Sequence, residues 1–452
     1  MTKKRDSILH IGFDDTDSLS GSCTTHIATK IIHRISEEVE FLDYPRLIRN
    51  NPNVPWKTRG NGAIAFTLGL KNENIENVFS TASQIIEDLH QKDPNTNPGL
   101  VAVKNHIPNE IKQFSINALK DVISINKAKA IARKFCSYHF TIGNGRGLIG
   151  AIAAIGNNLN PEKEDFSYEL LSYRSPEYIG KKRQVSSESV RKMDKQLSPH
   201  VFNNIDEESG KILITPAGKD PVLYGIRGET PEVLLEAFDL VHVSEPVESF
   251  CIFRTNQGTD QHFNYSDSMI RNFSVYKGEI EVIEKPRILL GGHTIFNAST
   301  VKDNKIIDVA AFEPSKKFRE VVRKLLPGDR IMAYGGIKYK QKYQKFTIQL
   351  EKCEVVHISE QFKEESPFCP NCSKRMISAG KNKGYKCRKC GHKDRNITKL
   401  RVPIIRNLTR GLYIPPAQAQ RHLVKPFRRY NLSKKDNVNF VENWYKILSK
   451  TQ

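Results

Sequence analysis

The sequence has no apolar run approaching the roughly 20 residues that a membrane-spanning helix needs. Residues 1–10 also lack the apolar centre of a signal peptide. We therefore expect a cytoplasmic protein that does not contact a membrane. Hydrophobic residues make up 38% of the 452, which is enough for real cores, and the length predicts two to four domains.

Acidic residues are scarce at the C-terminal end of the chain. Residues 371–452 contain 21 Lys and Arg against three acids (Asp394, Asp436 and Glu442), so that segment carries +18 of the net charge of +20. Concentrated positive charge attracts polyanions and makes the affinity depend on salt. The segment favours nucleic acid as the partner, and a solubilising or disordered basic tail is the alternative.

Cysteines are few, and only four of the eight are grouped. They form a Cys-x2-Cys-x14-Cys-x2-Cys pattern: Cys369, Cys372, Cys387 and Cys390. Paired knuckles at this spacing place four thiolates around one tetrahedral Zn²⁺. Because four thiolates fill the coordination sphere, we expect a structural zinc ribbon without catalytic chemistry, and a cytoplasmic chain disfavours disulfides.

The stretch from Ile8 to Thr25 is the first candidate for chemistry. An apolar run ends in the carboxylates of Asp14, Asp15 and Asp17, and a helical pattern follows after a Gly/Ser turn. Aspartates at the end of a buried strand can converge on Mg²⁺, which prefers one or two carboxylates together with phosphate oxygens. Alternatively, these aspartates belong to a turn that caps the next helix.

Two glycine-containing loops are candidates for phosphate binding. The first contains Lys57, Arg59, Gly60, Asn61 and Gly62, and the second contains Gly145, Arg146 and Gly147 and leads into an apolar helix. Free backbone N–H groups and the helix dipole face an anion bound at such a loop. A hairpin turn is the alternative for the first loop. No Gly-Lys-Ser/Thr follows the second loop, which excludes a P-loop NTPase. Together with the aspartates, the loops predict a site for Mg²⁺ and a polyphosphate.

The sequence pattern in the middle of the chain predicts two further domains. From about residue 160 to residue 255, strands alternate with single helices, which predicts an α+β domain of ferredoxin-like size. Residues 275–358 show five short strands with a helix between the third and fourth, the order of an OB-fold barrel. The hairpin 338–345 alternates aromatic and basic residues, as binding to single-stranded nucleic acid requires.

These residues resemble one known family, the archaeal tRNA-Ile agmatidine synthases. The matching motifs span nearly the whole chain in order: Gly12–Ser18 with Cys23–Thr25, Pro45–Arg49, Lys57–Ala63, Gly145–Ala151, Tyr224–Glu229 and the four-cysteine ribbon. The resemblance implies a multidomain α+β protein with a kinase-like α/β domain, a ferredoxin-like domain, an OB-fold and a zinc ribbon.

The expected domain limits combine this resemblance with the strand and helix patterns. They are 1–62 with 138–200 for a split, kinase-like ATP- and Mg-binding domain, 63–137 with 201–270 for the ferredoxin-like domain, 275–358 for the OB-fold, 366–395 for the zinc ribbon and 396–452 for a basic tail. The tail after Tyr430 is longer than the family pattern.

The resemblance implies an ATP-dependent ligase that forms a carbon–nitrogen bond. It would conjugate agmatine to the 2-position of the wobble cytidine of the CAU-anticodon isoleucine tRNA, changing decoding from AUG to AUA. A cytosine 2-carbonyl is a poor electrophile, so its oxygen is first phosphorylated. ATP, split into AMP and phosphates, would lie on the two loops with Mg²⁺ on the aspartates, and a threonine aligned with Thr24 would be phosphorylated. Capping or starting the first helix is the alternative role for Thr24.

Two alternatives of different kinds stay open. One is a non-catalytic single-stranded nucleic-acid binding protein with an OB-fold and a ribbon. The other is a tRNA-modifying ligase with a different amine, such as lysine. The lysine-using bacterial counterpart carries a Ser-Gly-Gly-x-Asp-Ser adenylating loop, and its absence here argues against adenylation.

The guanidinium of agmatine needs a carboxylate, preferably in bidentate contact. Glu229 and Asp260 are the candidates nearest to the motifs. Gly225 and Gly228 bracket a backbone that a ligand can approach, which favours Glu229 slightly. Glu229 precedes the candidate N-cap Thr230, so an ordinary acid at a helix start is the alternative. No protein partner is implied.

Overall fold

The computed structural model describes residues 6–18, 21–91, 93–432 and 440–448. Parts of the predicted kinase-like segment 1–62 and of the predicted tail 396–452 therefore lie outside the described residues. Within the described ranges the chain is a multidomain α+β protein built on two large sheets. In these ranges no helix has the length and apolar character needed to cross a membrane.

The first sheet draws its strands from the N-terminal 255 residues and from the C-terminus. Its N-terminal strands are β1 (Ser7–Asp14), β2 (Glu40–Phe41), β3 (Arg46–Arg49), β4 (Gly62–Leu70), β5 (Gly99–Lys104), β6 (Tyr138–Thr141), β7 (Ser167–Arg174), β8 (Val201–Phe202), β9 (Val222–Gly228) and β10 (Val247–Thr255). The helices of this region are α1 (Thr24–Ile35), α2 (Ile75–Leu89), α3 (Asn109–Lys120), α4 (Ile125–Phe135), α5 (Leu148–Gly156), α6 (Ser187–Leu197), α7 (Pro231–Leu240) and α8 (Gln261–Asn264).

The strand order places β1 inside this sheet. The order is β6-β5-β1-β4-β3-β10-β7-β9-β8, and β1 is antiparallel to both β4 and β5. Parallel pairing of β10 with β3 joins the two halves. The sheet runs across the predicted division after residue 62, because β4 pairs with β1 and β3. The predicted domain limits themselves stay a prediction.

Helices cover both faces of the β1 half of the sheet. Leu9, Ile11 and Phe13 of β1 are fully buried in a core that includes α1 and α2. The small apolar side chains of α5 fill a second core with α3 and α4. Because the first core lies on one face of β1 and α5 contacts that strand, the end of β1 at Asp14 lies between packed layers.

The second sheet comprises β11 (Val275–Val282), β12 (Arg287–Ile288), β13 (Thr294–Thr300), β14 (Ile306–Ala311), β15 (Arg330–Lys340) and β16 (Lys345–His357), with α9 (Lys317–Arg323) between β14 and β15. The pairings run β11-β15-β16-β14-β13, and β13 pairs again with β11. This circle of pairings encloses a core of its own, to which Phe318 and Val322 of α9 contribute.

The remaining strands are short: β17 (Phe362–Glu365), β18 (Ile377–Ser378), β19 (Tyr385–Lys386), β20 (Lys393–Asp394), β21 (Leu400–Pro403), β22 (Gly411–Tyr413) and β23 (Tyr445–Ile447). β22 pairs with β16 of the second sheet, and β23 pairs with β10 of the first. Within the described part of the predicted basic tail, β22 and β23 therefore join the two large sheets, whereas β21 pairs with β17.

Candidate active site

Asp14 ends β1 with its carboxylate buried against α5. A Cβ at Gly150 would lie 1.8 Å from Asp14 Oδ2, so only glycine fits at this point of the helix. Burial and, next, the neighbouring charge of Asp15 raise the pKa of Asp14 well above its ordinary value. Among the described residues, no cationic side chain lies within ion-pair distance of this carboxylate. A buried, uncompensated carboxylate is a suitable ligand for a hard cation.

Asp15 connects the acidic turn to the second glycine loop. Arg146 Nε and Nη2 donate to its two carboxylate oxygens, each over 2.8 Å, in a bidentate pair. The backbone N–H of Asn97 donates to Asp15 Oδ2 over 3.1 Å. Burial raises the pKa of Asp15, and Arg146 opposes that shift. Two motifs that are 131 residues apart in sequence thus meet at one ion pair.

Asp17 faces α1. Its Oδ1 accepts hydrogen bonds from the backbone N–H of Thr24 over 2.6 Å and from the Thr24 hydroxyl over 3.0 Å. The Thr16 hydroxyl donates to Thr24 Oγ1 over 2.9 Å. Thr24 is the first residue of α1, after Cys23 at the N-cap, and is buried. Asp17 therefore caps the helix and at the same time orients the Thr24 hydroxyl.

The first glycine loop packs against a buried arginine. A Cβ at either Gly60 or Gly62 would lie 2.6 Å from Arg49 Nη1, so a side chain at either position would displace the Arg49 guanidinium. Asn61 adopts a positive φ of 52° and donates from its side chain to Asn51 O over 2.8 Å. These contacts fix the shape of the loop and leave its backbone close to the acidic turn.

The two cations of this loop differ in their contacts. Arg59 Nη2 donates to Ser18 O over 3.0 Å, and its Nη1 lies 3.5 Å from Asp220. Lys57 Nζ donates to Arg59 O over 3.2 Å, and burial, with a smaller contribution from the charge of Arg421, lowers its pKa. Arg59 thus holds the acidic turn in place, while Lys57 has no ion-pair partner in the described ranges.

A narrow cleft of about 60 Å³ lies where these motifs meet. Its lining includes predicted residues from all three motifs: Asp14, Asp15, Lys57, Asn61, Gly62 and Arg146. Asp17, Arg59, Gly60, Gly145 and Gly147 do not line it. Trp56 and Ile149 also line it, although neither was predicted as a site residue. The signals that could have indicated them are the position of Trp56 directly before Lys57 and that of Ile149 within the motif Gly145–Ala151.

The two agmatine candidates are engaged by cations of this chain. Arg429 Nε and Nη2 contact the Glu229 carboxylate oxygens over 2.5 and 3.0 Å, and Arg429 is only 3% exposed. Asp260 pairs with Lys352 and accepts from the backbone N–H of Lys425 over 2.9 Å. Glu229 therefore has the bidentate guanidinium contact expected for agmatine, but with an arginine of the C-terminal segment. Their role as agmatine ligands stays a prediction.

The four ribbon thiols converge on one point. The Sγ atoms of Cys369 and Cys390 are 3.5 Å apart, and those of Cys372 and Cys387 are 3.4 Å apart. All four lie within 4.8 Å of one another, and Zn–S bonds of about 2.3 Å fit between them. Elsewhere in the described ranges no group of three or more His, Cys, Asp or Glu ligands is this close, so Asp14, Asp15 and Asp17 do not form a three-carboxylate cluster.

These observations define a multidomain α+β protein with a cleft where the acidic turn meets the two glycine loops and with a C-terminal zinc ribbon. Three family models match the chain: the TiaS TCKD domain over residues 10–144, the TiaS FLD domain over 145–262 and the TiaS C-terminal zinc ribbon domain over 366–408. The chain belongs to the TiaS family.

Individual relatives agree along almost the entire length. TiaS of Ignisphaera aggregans, a 2-agmatinylcytidine synthetase of isoleucine tRNA, is 40% identical over 443 residues, 94% of either chain. The crystal structure of TiaS in complex with isoleucine tRNA and ATP superposes with a TM-score of 0.84 at 37% identity and covers 95% of this chain and 99% of that one. The complex of TiaS with isoleucine tRNA, AMPCPP and agmatine gives 0.81 at 35% identity, with 95% and 99% covered.

Proposed function

We infer that this chain is an ATP-dependent ligase that conjugates agmatine to the wobble cytidine of the CAU-anticodon isoleucine tRNA. Relatives of the same length bear the name of a 2-agmatinylcytidine synthetase of isoleucine tRNA, and related structures contain tRNA, ATP or its analogue, and agmatine. In this chain the bidentate pair of Asp15 with Arg146 supports the assignment best, because it joins the acidic turn to the second glycine loop at one cleft. tRNA, ATP and agmatine are its partners.

ATP would place its phosphates in the cleft between the two loops. Lys57 and the backbone of Asn61 and Gly62 line one side, and Arg146 lines the other. Asp14 and Asp15 would hold Mg²⁺, since this ion needs only one or two carboxylates when phosphate oxygens complete its coordination. The bound ion would neutralise charge on the transferring phosphate.

Asp17 and Thr24 would act together at the start of α1. The carboxylate already accepts the hydrogen bond of the Thr24 hydroxyl over 3.0 Å, so it is placed to take up that proton when the oxygen attacks a phosphoryl group. This geometry supports Thr24 as the phosphate acceptor and Asp17 as its base. Asp17 is then a proton acceptor and helix cap more than a metal ligand.

The cytidine step follows from the weak electrophilicity of its 2-carbonyl. Transfer of a phosphoryl group to O2 converts that oxygen into a leaving group. The agmatine amine then attacks C2, the C2–O2 bond breaks, and phosphate leaves with O2. Transfer of one phosphoryl group to O2 would leave ADP, and transfer of the next to Thr24, followed by hydrolysis of the phosphothreonine, would leave AMP and phosphates. We propose this phosphorylated cytidine as the intermediate.

We propose domain roles that match the expected limits. The circle of strand pairings β11-β15-β16-β14-β13 supports an OB-fold over 275–358, and 1–62 with 138–200 would form the kinase-like part. Residues 63–137 with 201–270 would form the ferredoxin-like part, 366–395 the ribbon and 396–452 a basic C-terminal segment. We propose a cytoplasmic location, because the proposed substrate is a tRNA.

A direct assay tests the function. Purified protein is incubated with ATP, Mg²⁺, a CAU-anticodon isoleucine tRNA and either agmatine or lysine, and the tRNA is digested to nucleosides for mass spectrometry. We expect 2-agmatinylcytidine with agmatine only. Binding of tRNA without any modified nucleoside would support the non-catalytic binding protein, and a product with lysine would correct the amine.

The ribbon's positive charge should contribute to tRNA binding. Lys381, Lys383 and Arg388 are exposed and have no ion-pair partner in the described part of the chain. Replacing all three by Gln should weaken tRNA affinity and make the slope of log Kd against log salt shallower by roughly 0.7 for each lost phosphate contact. The zinc content should not change. Lys127, Arg133 and Lys134 of α4, all three replaced by Gln, are a control of equal charge. Equal slopes in the two variants would mean that the ribbon is not at the interface.

Glu229→Gln separates two roles of this carboxylate. If Glu229 holds agmatine, the apparent KM for agmatine rises much more than the KM for ATP. If it only anchors Arg429, the substitution leaves a buried guanidinium poorly paired and lowers the free energy of unfolding by about 1–3 kcal/mol, with both KM values changed alike. We predict the first result. Steady-state kinetics and denaturant unfolding of the same variant distinguish the two, and Asp260→Asn is then tested in the same way.

A further inference from the structure

A second cavity of about 390 Å³ lies beside the cleft. Three distant parts of the chain form most of its lining: the loop 52–60, strands β15 and β16 of the second sheet, and residues 421–422 of the C-terminal segment, with Phe273 beside them. Its cations come from these three parts and are Lys57, Arg59, Lys338 and Arg421. No lining residue is acidic. A concave site with four cations and no carboxylate is suited to an anion.

The cavity and the cleft share a wall. Val54 and Lys57 line both, so the loop that would hold the ATP phosphates separates the two spaces. A ligand in the cavity therefore lies directly beside the place of phosphoryl transfer. Agmatine, which carries a positive charge at each end, does not match this charge, whereas the RNA backbone does.

The cationic side chains of the cavity differ in their contacts within the protein. Arg421 Nη1 donates to Pro52 O over 2.7 Å, and its Nε lies 3.5 Å from Glu351, so it joins the loop to the second sheet. Lys338 is exposed at the cavity and has no ion-pair partner in the described ranges. Burial and then the nearby charge of Arg49 lower the pKa of His422 well below the ordinary value, which disfavours a charge on this side chain. The unpartnered charge of Lys338 is thus available to a ligand.

We propose that this cavity binds a backbone phosphate of the tRNA substrate next to the cytidine that is modified. The inference rests on the proposed function, which supplies the tRNA, and goes beyond it by assigning the site and its residues. Lys338 would contact the phosphate, Lys57 and Arg59 would face it from the loop, and Arg421 would close the cavity from the C-terminal segment. The basic C-terminal segment thereby becomes part of the substrate site, and Lys338 links the hairpin 338–345 to RNA binding.

The first test is binding of the CAU-anticodon tRNA by the full chain. Lys338→Gln breaks no contact within the protein and should raise the Kd roughly three- to fivefold, as expected for one exposed charge contact. Lys324→Gln, an exposed lysine after α9 of the same unit, is the matched control and should leave the Kd unchanged. The KM for ATP should be the same in both variants. Equal Kd values for the two variants would overturn the proposal.

The second test identifies the phosphate. In tRNAs assembled with one methylphosphonate linkage, each backbone phosphate around the modified cytidine is made neutral in turn. For one linkage adjoining that cytidine, the loss of affinity seen with the unsubstituted protein should be absent with Lys338→Gln, because both changes remove the same contact. Additive losses at every linkage would overturn the proposal. Since these are binding measurements, absence of 2-agmatinylcytidine with the unsubstituted protein would refute the proposed function separately.

Discussion

Asp14→Asn is expected to abolish ATP cleavage, with a loss on the order of a thousandfold, while the Kd for tRNA changes little. The substitution keeps the shape of the side chain beside Gly150 but removes the charge that would hold Mg²⁺. Because an uncompensated buried carboxylate is itself unfavourable, the variant should unfold at a temperature no lower than that of the unsubstituted protein. Release of AMP from labelled ATP measures the activity.

Asp15→Asn should cause the same loss of ATP cleavage, for two reasons. It removes a charge from the proposed metal site and also breaks the bidentate pair with Arg146. Asp88→Asn, at an exposed position of α2, is the control and should keep full turnover. If both Asp14→Asn and Asp15→Asn cleave ATP at the rate of the control, the acidic turn does not hold the metal ion.

Thr24→Val should reduce formation of 2-agmatinylcytidine by more than a hundredfold. Valine keeps the shape of the buried side chain but has no hydroxyl to accept a phosphoryl group. The hydrogen bond from the Thr24 hydroxyl to Asp17 is also lost, which costs about 1 kcal/mol of stability, while the backbone N–H of residue 24 still donates to Asp17. That cost is too small to explain the loss of activity, provided unfolding measurements give a change of this size.

Thr25→Val is a matched control for this experiment. Thr25 is buried in the same turn of α1. Its hydroxyl lies 3.1 Å from Cys23 Sγ, whereas the Thr24 hydroxyl contacts Asp17. We expect this variant to stay active, and Thr24→Ser to recover part of the activity because it restores a hydroxyl. If the Thr24→Val protein is stable and fully active, the only role of Thr24 is to begin α1.

Local patterns in the sequence predicted the parts of the site well. The apolar run that ends at Asp14 forms β1, the pattern after Cys23 forms α1, and Thr230 caps α7 through its contact with Val233 N. The cysteine spacing predicted the cluster of four thiols. Each of these features depends on residues close together in sequence, where alternation, helical period and ligand spacing determine the structure.

The long-range contacts could not be predicted in this way. Arg429 lies in a run of basic residues that reads as a solvated tail, yet its guanidinium is buried against Glu229, 200 positions earlier. Arg421 likewise reaches Pro52, 369 positions away. A basic residue has the same local pattern whether it faces water or a buried carboxylate, so only the folded chain shows which carboxylate it neutralises. For this reason the contact between Arg429 and Glu229 could not be predicted from the sequence.

The fate of one oxygen atom tests the central claim most directly. A CAU-anticodon isoleucine tRNA is prepared with ¹⁸O at the 2-carbonyl of the wobble cytidine and converted with ATP and agmatine. If O2 is phosphorylated before the amine attacks, the label must leave in inorganic phosphate, which mass spectrometry detects as a shift of about 2 Da. Recovery of the label in AMP would show adenylation of the cytidine, and its appearance in water would show displacement without activation. Either result would contradict the account.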